Sequence, residues 1–299
     1  MEGRKESMAI YELKNEKIAI QIDTLGAELK SLKNCNTDAE YMWSGDAAYW
    51  GRVSPVLFPF VGGLFQKEYR TKGKTYSMSQ HGFARDMEFE LLTKEPEFIE
   101  FQLKSTPETL EKYPYEFVLK IGYQLVENTV KVIWKVENPA ADEMYFAIGG
   151  HPGFRCPLNE KEKPTDCSIR FDAKEKLVCT EINERGMAIE QKTTYALEDG
   201  MLPITKTLFD KDALVVEHEQ AKTVSLCDAS GKPYLTVRMD APLFGIWSPP
   251  KMDAPFVCIE PWYGRCDCDG YQGELKDREW ENTLAPGNVW SASYEIVVE

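Results

Sequence analysis

The sequence predicts an all-β fold, a large antiparallel β-sandwich, on three observations. Apolar and polar residues alternate with a period of two along many segments, which is the pattern of strands with one buried face. Turn-forming residues such as Gly, Pro and Asn separate these segments. Helical periodicity is weak, so the alternating strand and helix pattern of a nucleotide-binding fold is missing. Short strands joined in this way build antiparallel sheets.

The clearest strands form a predicted hairpin in the middle of the chain. The odd-numbered residues of Phe117–Leu125 are apolar, and Val130–Val136 alternates in the same way after a turn at Glu127 and Asn128. The remaining strands are predicted, in chain order, at Lys17–Ile22, Phe98–Leu103, Ser168–Phe171, Ala213–Val216, Thr223–Cys227, Tyr234–Met239, Leu243–Trp247, Phe256–Glu260 and Val289–Val298.

Helices are predicted at only two short segments, Asp46–Trp50 and Glu108–Lys112. No Gly/Ser linker, low-complexity tract, internal repeat or abrupt change of composition divides the chain. Because β-sandwiches often exceed 200 residues as one unit, we predict a single domain over residues 1–299.

The charge balance excludes several classes of partner. The chain carries 35 Lys and Arg against 49 Asp and Glu, a formal net charge of −14 at pH 7. A surface of this sign repels nucleic-acid phosphates and anionic bilayers. We therefore expect neither a nucleic acid nor a membrane as partner. Nothing in the sequence specifies the oligomeric state.

The eight cysteines have neither the density nor the spacing of a disulfide-stapled secreted module. Cys266 and Cys268 are close in sequence, but no second pair completes four ligands, so no zinc site is predicted. The amino-terminal residues include basic side chains without an apolar stretch behind them, and no run approaches about 18 apolar residues. These features predict a cytoplasmic protein with reduced thiols and no metal.

Two of the three histidines occupy unusual local contexts. His81 opens the segment His-Gly-Phe-Ala-Arg-Asp, and His151 opens His-Pro-Gly-Phe. Glycine and proline in these positions predict shaped loops at strand ends, where rigid scaffolds display catalytic groups. The alternative is that one of them only satisfies backbone carbonyls at a turn. The third, His218, lies between two acids and is predicted to be a solvated, salt-bridged surface residue.

A carboxylate at a strand end is the third candidate. The apolar run from Phe256 ends in Glu260, followed by Pro261 and Trp262. An aromatic wall beside a carboxylate can raise its pKa toward the range of a general base. The alternative is a structural ion pair between Glu260 and Arg265. Since no nucleophile motif, phosphate loop or metal motif is present, His81, His151 and Glu260 favour proton transfer, and indole faces suit the apolar side of a pyranose.

Three motifs of the sequence together resemble those of a known protein family. Ser79-Gln-His-Gly-Phe-Ala-Arg-Asp86, Gly149-Gly-His-Pro-Gly-Phe154 and Cys258-Ile-Glu-Pro-Trp-Tyr-Gly264 occur in the order and at the separations found in the galactose mutarotase (aldose 1-epimerase) superfamily. The segment Pro55-Val-Leu-Phe-Pro-Phe-Val-Gly62 resembles its bacterial LacX-like branch most closely. The resemblance covers most of the chain and implies the same large antiparallel β-sandwich.

The resemblance implies an isomerase that needs no cofactor and acts on a small sugar. Glu260 is expected to take the proton from the anomeric hydroxyl, and His151 to protonate the ring oxygen. His81 is expected to hydrogen-bond the ring or anomeric oxygen. Asp212, or the nearby Asp210, is the candidate for binding sugar hydroxyls.

One position departs from the family pattern. The segment reads Val61-Gly-Gly-Leu64, whereas the family carries an arginine at the position of Gly63 that helps to hold the substrate. Arg52 or Arg85 are the candidates to supply a guanidinium in its place, although Arg85 can equally be structural.

Three alternatives remain open beside an aldose 1-epimerase of a free hexose. A hexose-6-phosphate 1-epimerase needs local basic groups for the phosphate, and the acidic net charge favours an unphosphorylated sugar. A non-catalytic carbohydrate-binding or sensor protein would keep the cleft without the rate enhancement. A glycosidase needs a second catalytic carboxylate, and only Glu260 is placed in the motifs.

Overall fold

The computed structural model describes residues 9–159 and 161–299, so most of the amino-terminal segment considered above lies outside the described residues. The strands within these ranges are numbered in chain order: β1 Ile10–Lys14, β2 Ile18–Asp23, β3 Glu28–Asn34, β4 Val56–Leu57, β5 Glu68–Thr71, β6 Lys74–Ser77, β7 Glu90–Lys94, β8 Phe98–Lys104, β9 Val118–Val126, β10 Thr129–Glu137, β11 Met144–Phe146, β12 Ile148–Gly150, β13 Gly153–Arg155, β14 Ser168–Phe171, β15 Lys176–Ile182, β16 Ala188–Ala196, β17 Met201–Pro203, β18 Leu214–Glu217, β19 Thr223–Cys227, β20 Pro233–Met239, β21 Leu243–Trp247, β22 Phe256–Tyr263, β23 Asn282–Leu284 and β24 Val289–Val298. The α-helix α1 covers Pro107–Lys112, and short 3₁₀ turns cover Phe65–Lys67, Ala84–Asp86, Pro164–Asp166 and Leu275–Asp277.

Two large antiparallel sheets form the body of the fold. The first has nine strands in the order β17-β14-β19-β20-β24-β10-β9-β8-β7. The second has the order β16-β15-β18-β21-β22-β12-β4, with β13 also paired to β22. Smaller sheets are formed by β1-β2-β3, β5-β6 and β11-β23. The predicted all-β antiparallel sandwich is confirmed.

The main hydrophobic core lies between the two sheets. In β10 buried and half-buried residues alternate along the whole strand, as expected for a strand with one face in the core. Trp134 of β10 contacts Tyr263 of β22 edge to face, with ring centroids 6.5 Å apart. Phe171 of the first sheet stacks on Phe244 of the second at 6.4 Å. Aromatic side chains therefore fix how the sheets face each other.

All strands predicted from alternation are present, with ends shifted by no more than about three residues. The strands that the pattern missed are mostly two to five residues long, or exposed like β16, whose central residues carry no apolar alternation. Helix α1 confirms the second helical prediction. It has six residues, and none of the helices in the described ranges is long and apolar enough to cross a membrane.

The helix predicted over Asp46–Trp50 is wrong, because this segment forms a single turn. The Asp46 carboxylate accepts from the Ala48 N–H at 2.9 Å, which satisfies the backbone locally as aspartate does in turns. The carbonyl of Trp50 accepts from the indole N–H of Trp43 at 2.9 Å, so a side chain occupies the acceptor that a longer helix would use. The turn carries Trp50 onto the second sheet.

Strand β22 is buried on both faces and positions the candidate site. Val257 and Ile259 belong to the core between the sheets. Because side chains alternate along a strand, Cys258, Glu260 and Trp262 lie on the opposite face, beneath the loops that cover the second sheet. The sequence of a strand that is buried on both faces is a continuous apolar run. A carboxylate buried inside such a run requires a specific partner.

Candidate active site

A cavity of about 360 Å³ opens on the covered outer face of the second sheet. This volume lies within the range of small-molecule sites. Its walls come from strands β15, β18, β21 and β22 and from the segments that connect the strands. The lining residues are Trp50, Val61, Gly62, Gln80, His81, Arg85, His151, Ile182, Gly186, Asp212, Ala213, Val215, Trp247, Pro250, Glu260, Trp262 and Cys266.

His151 and Glu260 meet at the floor of the cavity. Nε2 of His151 lies 3.3 Å from Oε2 of Glu260. The main-chain N–H of His151 donates to the Pro55 carbonyl at 3.1 Å, which fixes the residue where the chain leaves β12. His151 is 8% exposed and Glu260 is 1% exposed. Two titratable groups are thus in contact with each other while both are buried.

Burial shifts the two pKa values in opposite directions. Burial raises the pKa of Glu260 well above its usual value, and the nearby Asp212 carboxylate adds to the effect. Burial lowers the pKa of His151 to about 3, with Arg85 and Arg52 adding to the shift against the backbone hydrogen bond of His151. Both shifts therefore favour the uncharged forms, a protonated Glu260 and a neutral His151.

His81 lies beside this pair with a defined tautomer. Its N–H donates to the Gly62 carbonyl at 2.9 Å, and its Nδ1 accepts from the Gly62 N–H at 3.1 Å. Since Nδ1 is an acceptor, this bonding assigns the ring hydrogen to Nε2. Burial and the neighbouring His151 hold the pKa of His81 well below its usual value, so the ring is a neutral donor. The His81 and His151 ring centroids are 5.7 Å apart.

Tryptophan side chains form the walls around His151. Trp50 stacks on its ring at 4.7 Å with an interplanar angle of 28°, and Trp247 meets it edge to face at 5.4 Å. Trp262, predicted from sequence, also lines the cavity. Sequence reasoning missed Trp50 and Trp247. Trp247 is the last residue of an apolar strand, as Glu260 was expected to be. Its position at a strand end could therefore have identified it from the sequence.

The charged candidates occupy different places. Asp212 lines the cavity, whereas Asp210 is not among the lining residues. Arg85 also lines it, and its guanidinium donates to the Gln80 carbonyl at 2.8 Å. Arg52 is not among the lining residues and instead donates to the Asp86 carboxylate at 2.7 Å. The structure therefore brings every predicted site residue except Arg52 to the cavity.

Asp212 is held by its own backbone neighbourhood. Its carboxylate accepts from the Ala213 N–H at 2.8 Å, and its φ of 81° places the backbone in the left-handed region that aspartate tolerates. Burial raises the pKa of this carboxyl, while the nearby indole of Trp247 opposes the shift. This loop conformation turns an acidic side chain toward the cavity.

Unsatisfied polar atoms concentrate at this cavity. In the described ranges, buried side-chain atoms without a hydrogen-bond partner are Arg85 Nε, His151 Nδ1, Glu260 Oε2, Trp262 Nε1 and Glu281 Oε1. All but the last belong to residues that line the cavity. Buried polar groups are nearly always bonded, so such a concentration indicates a place built for a polar ligand.

A sequence profile of the family described as aldose 1-epimerase matches residues 9–297. The chain belongs to the aldose 1-epimerase family. It is 30% identical over 296 residues to the chromosomal protein LacX of Lactococcus lactis subsp. lactis, covering 96% of this chain and 98% of LacX. The resemblance to the LacX-like branch is confirmed.

Solved structures place this family member among galactose mutarotase-related proteins. A galactose mutarotase related enzyme from Lactobacillus acidophilus has a TM-score of 0.91 and 35% identity, with 97% of each chain covered. A galactose mutarotase-like protein from Lactobacillus casei ATCC 334 has a TM-score of 0.90 and 30% identity, covering 97% of this chain and 100% of that one. The family is one of sugar isomerases.

The geometry bears on two expectations from the sequence. A Cβ placed on Gly63 would lie 2.8 Å from Cε of Met187, so this methionine lies where an arginine side chain would begin. The Glu260–Arg265 ion pair is wrong, because Arg265 Nε donates to Glu217 at 2.7 Å. Glu260 faces His151 instead.

His218 is exposed as predicted, but the acid that precedes it is not its partner. The buried Glu217 carboxylate pairs with Arg265, and in the described ranges no ion pair forms at His218. Its ring lies 5.1 Å from that of Trp280. The salt-bridge prediction for His218 is therefore wrong, since the strand end turns Glu217 inward.

Proposed function

We propose that this protein is an aldose 1-epimerase (mutarotase) that interconverts the α and β anomers of a hexose by acid/base-catalysed ring opening. The 3.3 Å contact between His151 Nε2 and Glu260 Oε2 inside a cavity of monosaccharide size carries the proposal. A base for the anomeric hydroxyl and an acid for the ring oxygen must both reach one hemiacetal, and these atoms can do so.

The proposed reaction requires one proton on the pair formed by His151 and Glu260. Before a sugar binds, the raised pKa of Glu260 and the lowered pKa of His151 favour this proton on Glu260. Transfer across the contact gives the working form, a Glu260 carboxylate and a His151 imidazolium.

Ring opening then moves this proton through the sugar. Glu260 takes the proton of the anomeric hydroxyl, the C1–O5 bond breaks to leave an aldehyde, and His151 protonates O5. Rotation about C1–C2 presents the other face of the carbonyl. On closure His151 takes the O5 proton back and Glu260 returns a proton to O1, which restores the Glu260 carboxylate and the His151 imidazolium.

Neighbouring side chains support these steps in the proposal. The Nε2–H of His81 is the donor for the oxygen on which charge develops. Asp212 and Arg85 bind hydroxyl groups, and the faces of Trp50, Trp247 and Trp262 exclude water and cover the apolar side of the ring.

A screen of anomeric exchange tests the proposal. NMR exchange spectroscopy on galactose, glucose and their 6-phosphates should show faster exchange of at least one sugar with the wild-type protein. Calorimetric binding of a sugar without any acceleration of exchange would instead identify a binding protein and contradict the proposal.

A hexose 6-phosphate is the second candidate substrate for the same reaction. Among the residues that the structure describes, the buried Nε of Arg85 has no hydrogen-bond partner, and both Arg85 and Arg52 lie within 4.0 Å of the Asp86 carboxylate. Two neighbouring guanidinium groups suit a phosphate despite the acidic net charge. A ratio of kcat/KM that favours glucose 6-phosphate over glucose, and that Arg85→Gln reverses, would select this substrate.

A further inference from the structure

Three buried side chains at the cavity floor present metal-binding atoms toward one another. A ring nitrogen of His151, Sγ of Cys258 and a carboxylate oxygen of Glu260 all lie within 4.8 Å of each other. Cys258 and Glu260 are two residues apart on β22 and so face the same side. Cys266 and Cys268, which are close in sequence, are not part of this cluster.

The separations suit a tetrahedral centre. Ligands bonded at about 2.0–2.1 Å and at the tetrahedral angle lie about 3.3–3.4 Å apart. Nε2 of His151 and Oε2 of Glu260 are 3.3 Å apart. Gly153 opposite leaves room for the sulfur, since a Cβ placed there would be 3.4 Å from Sγ of Cys258. Sγ of Cys258 lies within 4.8 Å of a ring nitrogen of His151 and a carboxylate oxygen of Glu260, so the third bond requires a rotation of the Cys258 side chain toward them.

The local charge also suits a divalent cation. Glu260 Oε2 is buried and has no hydrogen-bond partner in the described ranges. A dication bound by a carboxylate, a thiolate and a neutral imidazole forms a centre with no net charge, which a dry site tolerates. Binding transfers the thiol and carboxylic protons to solvent, so the charges balance.

We propose that His151, Cys258 and Glu260 form a chelating site for Zn²⁺ or a divalent cation of similar softness, with the fourth position open to the cavity. A thiolate, an imidazole and a carboxylate together select Zn²⁺ or Co²⁺ over Mg²⁺ or Ca²⁺. The ion reaches the site through the cavity, because His151 and Glu260 both line it. A cation bound there occupies the atoms that exchange the proton.

The consequence is reversible inhibition of the epimerase by zinc, and this part rests on the proposed function. The bound ion holds the lone pairs of His151 and Glu260, so neither can take a proton. Removal of the ion by a chelator restores the pair. The binding itself does not depend on any activity and is tested separately.

Cobalt titration of the full-length reduced protein tests the site directly. One equivalent of Co²⁺ should give a tetrahedral visible spectrum with a thiolate-to-cobalt charge-transfer band in the near ultraviolet. Cys258→Ser should remove that band and weaken binding at least about tenfold. Cys266→Ala, at a buried cysteine that lines the cavity and is not part of the cluster, is the matched control and should keep both.

The outcomes separate the two proposals. Absence of the band in the wild-type protein, or its persistence in both Cys258→Ser and Cys258→Ala, would overturn the metal site whatever the activity. If the cobalt band is present and the protein accelerates anomeric exchange, one equivalent of Zn²⁺ should abolish that acceleration and a chelator should restore it. Exchange that continues in the zinc-bound protein would overturn the inhibitory role.

Discussion

Glu260 is 1% exposed, and its surroundings include His151, the carboxylate of Asp212 and the indole of Trp262. Burial and the Asp212 carboxylate raise the pKa of Glu260 well above its usual value, the Trp262 indole opposes this shift, and the protonated form is favoured. The same burial keeps His151 uncharged. At the scale of single residues, the environment rather than the residue type sets the protonation state from which we propose that catalysis starts.

Replacing Glu260 by Gln is expected to stabilise the fold at high pH. The folded pKa of Glu260 is raised, so between pH 4.5 and that raised value the unfolded chain releases a proton that the folded protein keeps. The wild type therefore loses stability as pH rises through this window, by about 1.4 kcal/mol per pH unit for this group. Glu260→Gln removes this loss.

Urea unfolding at pH 5 and pH 8 measures the effect. The difference in unfolding free energy between variant and wild type should grow in favour of the variant toward pH 8. Glu219→Gln, at an exposed carboxylate, is the control and should show no such trend. A constant difference at both pH values would mean that Glu260 is ionised in the folded protein.

Strand β22 illustrates what the sequence can predict at the scale of elements. The apolar run predicted the strand, and the carboxylate that interrupts it predicted that Glu260 lies at a site, because the burial of a strand is visible in its local sequence pattern. The run was expected to end at Glu260, yet the strand continues to Tyr263 with Pro261 and Trp262 inside it. Trp262 packs on the cavity-facing side of β22. Tertiary contacts therefore extend the strand beyond the residues that the local sequence pattern predicts.

Gly245 on the neighbouring strand β21 tests this packing. A Cβ placed there would lie 2.6 Å from two ring atoms of Trp262. Gly245→Ala should displace the indole and lower the unfolding free energy by about 1–3 kcal/mol. Gly51→Ala, where the added Cβ has only ordinary contacts at 3.8 Å, is the matched control. Equal stability of the two variants in thermal and urea unfolding would show that Trp262 is free to move.

At the scale of the whole molecule, a buried cluster of ion pairs and hydrogen bonds around Arg278 connects the loop after β22 with the distant residue Phe65. Arg278 Nε donates to Asp267 at 2.6 Å, and Asp267 also accepts from the Phe65 N–H at 2.8 Å. Arg278 further donates to the Arg265 carbonyl at 3.0 Å and pairs with Glu281. These contacts hold the loop after β22, which carries Cys266 into the cavity wall.

Removing Arg278 should destabilise the protein strongly. Its side chain is 3% exposed, and its loss leaves Asp267 and Glu281 buried without a cation. Arg278→Ala should therefore cost about 3–5 kcal/mol of unfolding free energy. Arg238→Ala, at an exposed pair with Glu295, should cost no more than about 1 kcal/mol. Similar losses in urea unfolding for both variants would contradict the structural role of the buried pairs.

The sequence predicted which residues lie at the site better than it predicted the contacts between residues. His81, His151 and Glu260 were identified because glycine, proline and strand ends mark shaped loops locally. The partners of Arg265 and Arg52 could not be predicted, since ion pairs join segments far apart in the chain. The position of Trp50 could not be predicted either, because it depends on a turn that the Asp46 side chain stabilises and not on a helix. The cluster of His151 with Cys258 exists only after β12 and β22 pair.

The central claim is that His151 and Glu260 exchange protons with the hemiacetal of a sugar. Anomeric exchange of the sugar accelerated most by the wild type, followed by NMR, tests it most directly in Glu260→Gln and His151→Asn. Each variant should lose about 10²–10⁴ of kcat/KM, because each lacks one of the two proton-exchanging groups. His218→Asn, at an exposed histidine outside the cavity, should retain the wild-type rate. Rates in Glu260→Gln and His151→Asn equal to that of the wild type would contradict the account.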